Sequence, residues 1–152
     1  HREQYFRSVL EGKPRVPDGA DMVIAMFARN RTRLILNEDE LAEHLCRSLG
    51  LPVVRVALED MPVVEVMRTV SKAAIAIGMH GALQIFGLWM PPGGVMLEAV
   101  PYAIPPDLIQ HYRKMCDLLG HRHRFWSSPH ADPPNTVGHP DRHKWLGGLG
   151  EV

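Results

Sequence analysis

A small set of residues in this sequence is suited to binding the phosphates and the ribose of a nucleotide. Arginine donates hydrogen bonds in a fork that matches a phosphate group, and histidine donates to a phosphoryl oxygen. A glycine lets backbone N–H groups approach an anion closely, whereas a carboxylate accepts hydrogen bonds from ribose hydroxyls. The candidate residues are Arg29, Arg33, His80, Gly81, Ala82 and Glu98.

These candidates follow or close apolar runs whose length is typical of buried strands. The predicted strands are residues 22–27, 53–58, 73–77 and 95–98, with a fifth at 121–126. Arg29 and Arg33 follow the first strand, His80-Gly81-Ala82 follows the third, and Glu98 closes the fourth. Ligands of an open parallel sheet bind at the carboxyl ends of its strands, so we expect these side chains to surround one diphosphate-sized hollow.

Helical patterns alternate with the strands, which indicates an α/β fold. Asn37 offers an N-cap to a helix that has acidic residues in its first turn, and Gly50 and Pro52 end it. Further helical patterns occupy residues 63–70, 83–90 and 106–119, and a short one lies at 1–10. Because parallel strands need right-handed crossovers, the pattern predicts a Rossmann-like parallel sheet covered by helices. We expect residues 1–126 to form this domain and residues 127–152 to form an irregular tail packed on it.

The composition excludes several classes of function. The 152 residues carry 17 basic and 17 acidic side chains, so no overall field attracts nucleic acid. No run approaches the roughly 18 to 20 apolar residues of a membrane span. Cys46 and Cys116 both fall on apolar helical stripes, and we expect them to be buried small hydrophobic residues.

Other chemistries fit the sequence less well. Six histidines lie in the last third of the chain, but the spacing of a zinc motif is missing, so we expect no metal site. The Gly-x-Ser-x-Gly turn of a nucleophilic triad is also missing. The corner Gly78-Met79-His80-Gly81 lacks the full dinucleotide fingerprint, which makes an oxidoreductase a distant third hypothesis. Loop arginines and a histidine after a strand also have ordinary structural roles, so the pattern alone leaves the nucleotide site open.

Several motifs in order resemble the family 61 glycosyltransferases over nearly the whole chain. They are Arg33-Leu34-Ile35-Leu36-Asn37, Gly78-Met79-His80-Gly81-Ala82, Pro92-Gly93 before Glu98, Pro101-Tyr102, Asn135-Thr136-Val137 and His139-Pro140-Asp141-Arg142. The resemblance implies the C-terminal, donor-binding half of a glycosyltransferase B fold. It also implies a UDP-sugar as donor, UDP-N-acetylglucosamine in particular, and no bound metal.

Under this resemblance, an acceptor hydroxyl displaces UDP with inversion at the anomeric carbon. Arg29, Arg33, His80 and the N–H groups of Gly81 and Ala82 would stabilise the departing diphosphate, and each lost donor would cost about 3 to 4 kcal/mol. Glu98 would hold the ribose. Because the resemblance is to the C-terminal half only, the acceptor-binding N-terminal domain, and with it the general base, is expected to be missing. The chain also opens at His1 without an initiator Met, which suggests a processed or truncated product. The secretory lumen is the implied compartment.

Two departures from the family pattern favour a second hypothesis. Ala82-Leu83-Gln84 replaces a polar residue followed by Leu, and Lys144-Trp145-Leu146-Gly147-Gly148 lacks an acidic residue that the family carries. The chain would then be an inactive, glycosyltransferase-derived module that serves as a subunit of a larger complex. Exposed Trp89, Trp126 and Trp145 would provide contacts to other protein chains.

Overall fold

The structure is a computed structural model that describes residues 21–30, 33–101 and 110–127. Strands alternate with helices along this part of the chain, as the sequence predicted. The elements in order are β1 Val23–Phe27, α1 Glu38–Leu49, β2 Val53–Val56, α2 Val63–Val70, β3 Ala73–Met79, a 3-10 helix Ala82–Trp89, β4 Val95–Val100, α3 Gln110–Leu119 and β5 Arg122–Ser127.

The five strands form one parallel sheet in the order β2-β1-β3-β4-β5. The α/β class and the Rossmann-like parallel sheet are therefore confirmed. The chain moves from β1 to one side, then crosses back over β1 to reach β3, and continues to the other side. This reversal creates a topological switch point between β1 and β3, where ligands of doubly wound folds bind outside the carboxyl ends of the strands.

Helices cover the two faces of the sheet unequally. On one face, α1 packs Leu41, Ala42 and Leu45 against a small cluster that contains Ile24 and Met26. On the other face lie α2, the 3-10 helix and α3. Their buried side chains form the larger core with the inward residues of the strands, and these side chains are Val66, Val70, Leu83, Phe86 and Cys116. The central strands β1 and β3 are thus buried from both sides, which explains their nearly continuous apolar runs. The edge strand β5 is mostly exposed.

The structure corrects several details of the sequence reading. β4 continues to Val100, so Glu98 lies inside the strand instead of closing it. Cys46 is exposed, because α1 contacts the sheet through one narrow stripe and has no fully buried residue. Trp89 is partly buried and packs on the core instead of being exposed. Asn37 precedes α1 as expected, but its side chain contacts Glu40 and makes no cap hydrogen bond.

Some expectations fall on residues that the structure does not describe. The N-terminal helix at 1–10, most of the tail at 127–152 and Trp145 lie outside the described residues, so the division into a domain and a tail stays a prediction. Within the described ranges, none of the helices has the length and apolar character that crossing a membrane requires.

Two neighbouring leucines of α3 allow a matched test of this core. Leu119 is 8% exposed and Leu118 is 84% exposed. We expect Leu119→Ala to lower the free energy of unfolding by about 2 to 3 kcal/mol, because it leaves a cavity between α3 and the sheet. Leu118→Ala should change it by less than about 0.5 kcal/mol. Urea unfolding of both variants checks this, and equal losses would contradict the assigned packing of α3.

Candidate functional site

The carboxyl ends of β1 and β3 meet at the switch point, and they bring Arg29 next to Gly81. A Cβ atom added to Gly81 would lie 3.1 Å from Nη1 of Arg29 and 2.8 Å from Nη1 of Arg33. The two guanidinium groups therefore converge on the backbone of this glycine. Three residues that the sequence assigned to one hollow are thus brought together by the fold.

Gly81 has a backbone conformation that other residues rarely adopt. Its φ of 154° and ψ of 179° belong to a region that is almost restricted to glycine. This conformation turns the chain sharply from the end of β3 into the 3-10 helix, which begins at the exposed Ala82. The first N–H groups of such a helix have no partner within the helix, so they remain available to an anion.

Side chains and backbone groups occupy the carbonyl oxygens at this corner. Nη1 of Arg33 donates to the carbonyl of His80 at 2.7 Å, and the Tyr112 hydroxyl donates to the carbonyl of Gly81 at 2.8 Å. The Gly81 carbonyl also accepts from the Gln84 N–H at 3.0 Å, and Nε2 of Gln84 donates to the Gly78 carbonyl at 2.9 Å. With these acceptors engaged, the surface of the corner presents donors, which suits a negatively charged ligand.

The two arginines lie close enough to repel each other. Burial lowers the pKa of the Arg33 guanidinium, and the nearby charge of Arg29 lowers it further. Arg33 also has a positive φ of 55°, which is uncommon outside glycine. Nη1 of Arg29 is buried and has no hydrogen-bond partner among the described residues. A buried donor without a partner costs about 1 to 3 kcal/mol, so its position calls for a ligand that accepts hydrogen bonds.

Glu98 lies beside this corner as a fully buried carboxylate in β4. Its side chain has no exposed surface, and its two oxygens contact two different histidines. Oε1 is 2.5 Å from Nδ1 of His80, and Oε2 is 2.8 Å from Nε2 of His123. The backbone N–H of His80 also donates to the carbonyl of Ala99 at 2.7 Å, which extends the pairing of β3 with β4 up to His80.

Tyr112 of α3 connects the Gly81 corner to the His80 ring. Its ring packs edge-on against the His80 ring with centroids 5.8 Å apart, and the His111 ring lies at the same distance from His80. Burial raises the pKa of the Tyr112 hydroxyl, and the charge of Glu98 raises it further. The hydroxyl therefore keeps its proton and serves as a hydrogen-bond donor to Gly81.

The arrangement changes the part expected of Glu98 and adds residues that the sequence reading missed. Glu98 was expected to hold a ribose, but its oxygens are enclosed by His80 and His123, so direct contact with a ligand would require those bonds to open. His123 was only one of six histidines in the last third of the sequence, and Tyr112 only one residue of the helical pattern at 106–119. A signal for His123 was available in the sequence. A buried Glu98 needs hydrogen-bond partners, and alternate residues of the neighbouring strand β5 point to its side of the sheet.

Two other chemistries receive no support from the described ranges. They contain no group of three or more His, Cys, Asp or Glu side chains arranged to hold a metal ion. Burial raises the pKa of the Cys116 thiol to about 11, so this cysteine stays protonated and is a poor nucleophile at neutral pH. The expectation that no metal is needed stays a prediction.

Known proteins are similar to this chain in sequence. The sequence model of the family described as Glycosyltransferase 61 matches residues 2–97. Three relatives are named protein O-linked-mannose beta-1,4-N-acetylglucosaminyltransferase 2. The protein from Tetraodon nigroviridis is 36% identical over 153 residues, 98% of this chain and 26% of that protein. The Homo sapiens protein is 37% identical over 134 residues, which cover 88% of this chain and 23% of that protein. The Xenopus tropicalis protein is 29% identical over 149 residues, which cover 96% of this chain and 26% of that protein. The chain thus spans about a quarter of these relatives' length.

Substitution of Gly81 tests the geometry of the corner. We expect Gly81→Ala to lower the free energy of unfolding by about 1 to 3 kcal/mol because of its φ, and to push both guanidinium groups away. The affinity for pyrophosphate, a diphosphate probe, should fall as well. Gly120→Ala is the control, since Gly120 has a φ of 70° with nothing within 4 Å of an added Cβ. Urea unfolding and calorimetry check both variants. An unchanged pyrophosphate affinity in Gly81→Ala would argue against an anion site.

Proposed function

Because this chain belongs to glycosyltransferase family 61, we propose that it binds the nucleotide of a UDP-sugar at the switch point between β1 and β3. The observation that carries the proposal is the buried, unpartnered Nη1 of Arg29 beside the Gly81 corner. A diphosphate there would accept hydrogen bonds from Arg29 and from the N–H groups of Gly81 and Ala82. It would also relieve the repulsion between Arg29 and Arg33.

The reaction we propose is an inverting transfer, in which an acceptor hydroxyl attacks the anomeric carbon as UDP departs. The chemical task of this chain is to stabilise negative charge that grows on the diphosphate. The two arginines and His80 supply positive charge, so we expect no metal ion to be required. Acceptor binding and the general base are assigned to parts of a longer protein, since the chain spans about a quarter of its relatives' length.

UDP-N-acetylglucosamine is the donor we favour. The relatives are named as N-acetylglucosaminyltransferases that act on O-linked mannose of proteins, and they are similar over most of this chain. The lumen of the secretory pathway is the compartment that we propose with this activity. Calorimetry should therefore give tighter binding of UDP-N-acetylglucosamine than of UDP-glucose. Equal affinities would support a nucleotide site but would mean that this chain does not select the donor sugar.

An inactive module within a larger complex is the second candidate function. The observation that favours it is Trp126, which is 58% exposed at the end of β5 and could contact another protein chain. Nucleotide binding separates the two candidates, because a degenerate module has no need to keep an anion site. No heat with UDP at millimolar concentration would favour the module.

Arg29→Met tests the proposal with opposite effects on binding and stability. Loss of a charge-assisted hydrogen bond should weaken UDP binding by roughly 10- to 100-fold. The ligand-free chain should keep its stability or gain about 1 kcal/mol, because an unpartnered buried donor is removed. Arg55→Met is the matched control, since Arg55 forms exposed ion pairs with Glu38 and Asp39 on the α1–β2 side. It should leave UDP affinity unchanged.

Calorimetric titration with UDP and urea unfolding of each variant measure these effects. If Arg29→Met destabilises the chain and leaves UDP affinity unchanged, then Arg29 has a structural role and the proposed nucleotide site is wrong.

A further inference from the structure

We propose that Glu98 and His123 are positioning residues that hold His80 with Nδ1–H toward the buried carboxylate. His80 then takes up a proton at Nε2 when a diphosphate binds. This inference rests on the proposed function, because it concerns the same anion site. It adds two residues and a proton-coupled step that composition and spacing did not indicate.

The hydrogen bonds of Glu98 fix the tautomers of both histidines. A carboxylate can only accept hydrogen bonds, so each ring nitrogen in contact with it must carry a proton. Nδ1–H of His80 therefore donates to Oε1 at 2.5 Å, and Nε2–H of His123 donates to Oε2 at 2.8 Å. A neutral imidazole has one N–H, so in neutral His80 that group is already used by Glu98.

The opposite nitrogen of His80 then decides how the ring meets an anion. Nε2 points away from Glu98, and it has no hydrogen-bond partner within the part of the chain that the structure describes. In neutral His80 this nitrogen carries a lone pair and no proton, so it repels a phosphate oxygen. In the imidazolium it is a donor, and the ring bridges two negative groups. Binding of a diphosphate at Nε2 therefore requires a second proton on the ring.

Charged and titratable groups from four elements lie around His80 and its neighbours Gly81 and Glu98, and they act in opposite directions. The groups are Arg29 and Arg33 after β1, Glu98 of β4, His123 of β5, and His111 and Tyr112 of α3. The negative Glu98 favours the imidazolium. The two arginines oppose it, and so would a second imidazolium at His111 or His123. A diphosphate neutralises the arginines, so its binding removes the main opposition to the second proton.

A purely structural network would behave differently. If Glu98 only tied β3 to β5, removal of either histidine would lower stability but would not change the proton balance of ligand binding. Proton uptake is therefore the measurement that separates a positioning role from a structural one. By linkage, a ligand that requires one added proton binds more weakly as pH rises above the range where histidine titrates.

The experiment is calorimetric titration of the whole chain with UDP in buffers of different ionisation enthalpy. The dependence of the observed heat on the buffer counts the protons taken up. Measurements from pH 7.5 to 8.5 avoid protonation of UDP itself, since a terminal phosphate has its second pKa near 6. We expect uptake that approaches about one proton per UDP, and an affinity that falls by up to about tenfold per pH unit.

Variants assign the proton to a residue. His80→Asn keeps a donor near the position of Nδ1, facing Glu98, but has no second nitrogen. It should bind UDP roughly 10- to 100-fold more weakly and without proton uptake. His123→Gln keeps a donor near the position of Nε2 and should retain the uptake, whereas His123→Leu and Glu98→Gln should reduce it. His44→Gln on the exposed face of α1 is the control, and it should match the wild-type chain.

Nitrogen-15 spectra of the His80 ring give a second readout. They should report an Nδ1–H tautomer without ligand and two protonated nitrogens with UDP. Binding of UDP with no proton uptake, or uptake that persists in His80→Asn, would overturn this inference and leave the nucleotide site intact. Failure of the wild-type chain to bind UDP would overturn the proposed function, and the inference with it.

Discussion

Burial of the Glu98 carboxylate is the constraint on which the arrangement of the site depends. A charge without exposed surface is tolerated only when its hydrogen bonds are satisfied, and removal of one partner of a buried pair is strongly destabilising. Glu98 satisfies its two oxygens with His80, which directly follows β3, and with His123, the second residue of β5. The carboxylate thereby connects β3, β4 and β5, and it holds His80 at the edge of the proposed anion site.

The same corner concentrates exceptions to the usual rules of local structure. Arg33 has a positive φ, Gly81 adopts a conformation almost restricted to glycine, and Arg29 buries a donor without a partner. Outside the corner, Asp21 also has a positive φ, whereas the left-handed Gly50 that ends α1 follows an ordinary pattern. Local exceptions cost free energy and persist where the surrounding structure enforces them, often at functional sites. Their coincidence at the switch point is an argument for function that does not depend on sequence similarity.

Much of the fold was predictable because it depends on short-range patterns. Apolar runs and helical stripes predicted every strand and helix that the structure describes, and the glycine after α1 predicted its end. Burial of Cys46 was wrong because a stripe shows which side of a helix faces the sheet and not how deeply it is covered. The bonds from His123 and Tyr112 to the site were not predicted. They depend on the register of β5 against β4 and on the position of α3 over the corner, which are long-range features.

Enclosure of Glu98 also explains how an acidic side chain can belong to a site that binds an anion. An exposed carboxylate beside Arg29 and Arg33 would pair with them and repel a diphosphate. In this structure the carboxylate has no exposed surface, and an imidazole ring contacts each of its two oxygens. Its charge acts on the corner through His80, to which it is hydrogen-bonded, and it also raises the pKa of the Tyr112 hydroxyl. Under the proposed proton uptake, a carboxylate that would weaken the site by direct contact instead supports the charge that His80 gains when a diphosphate binds.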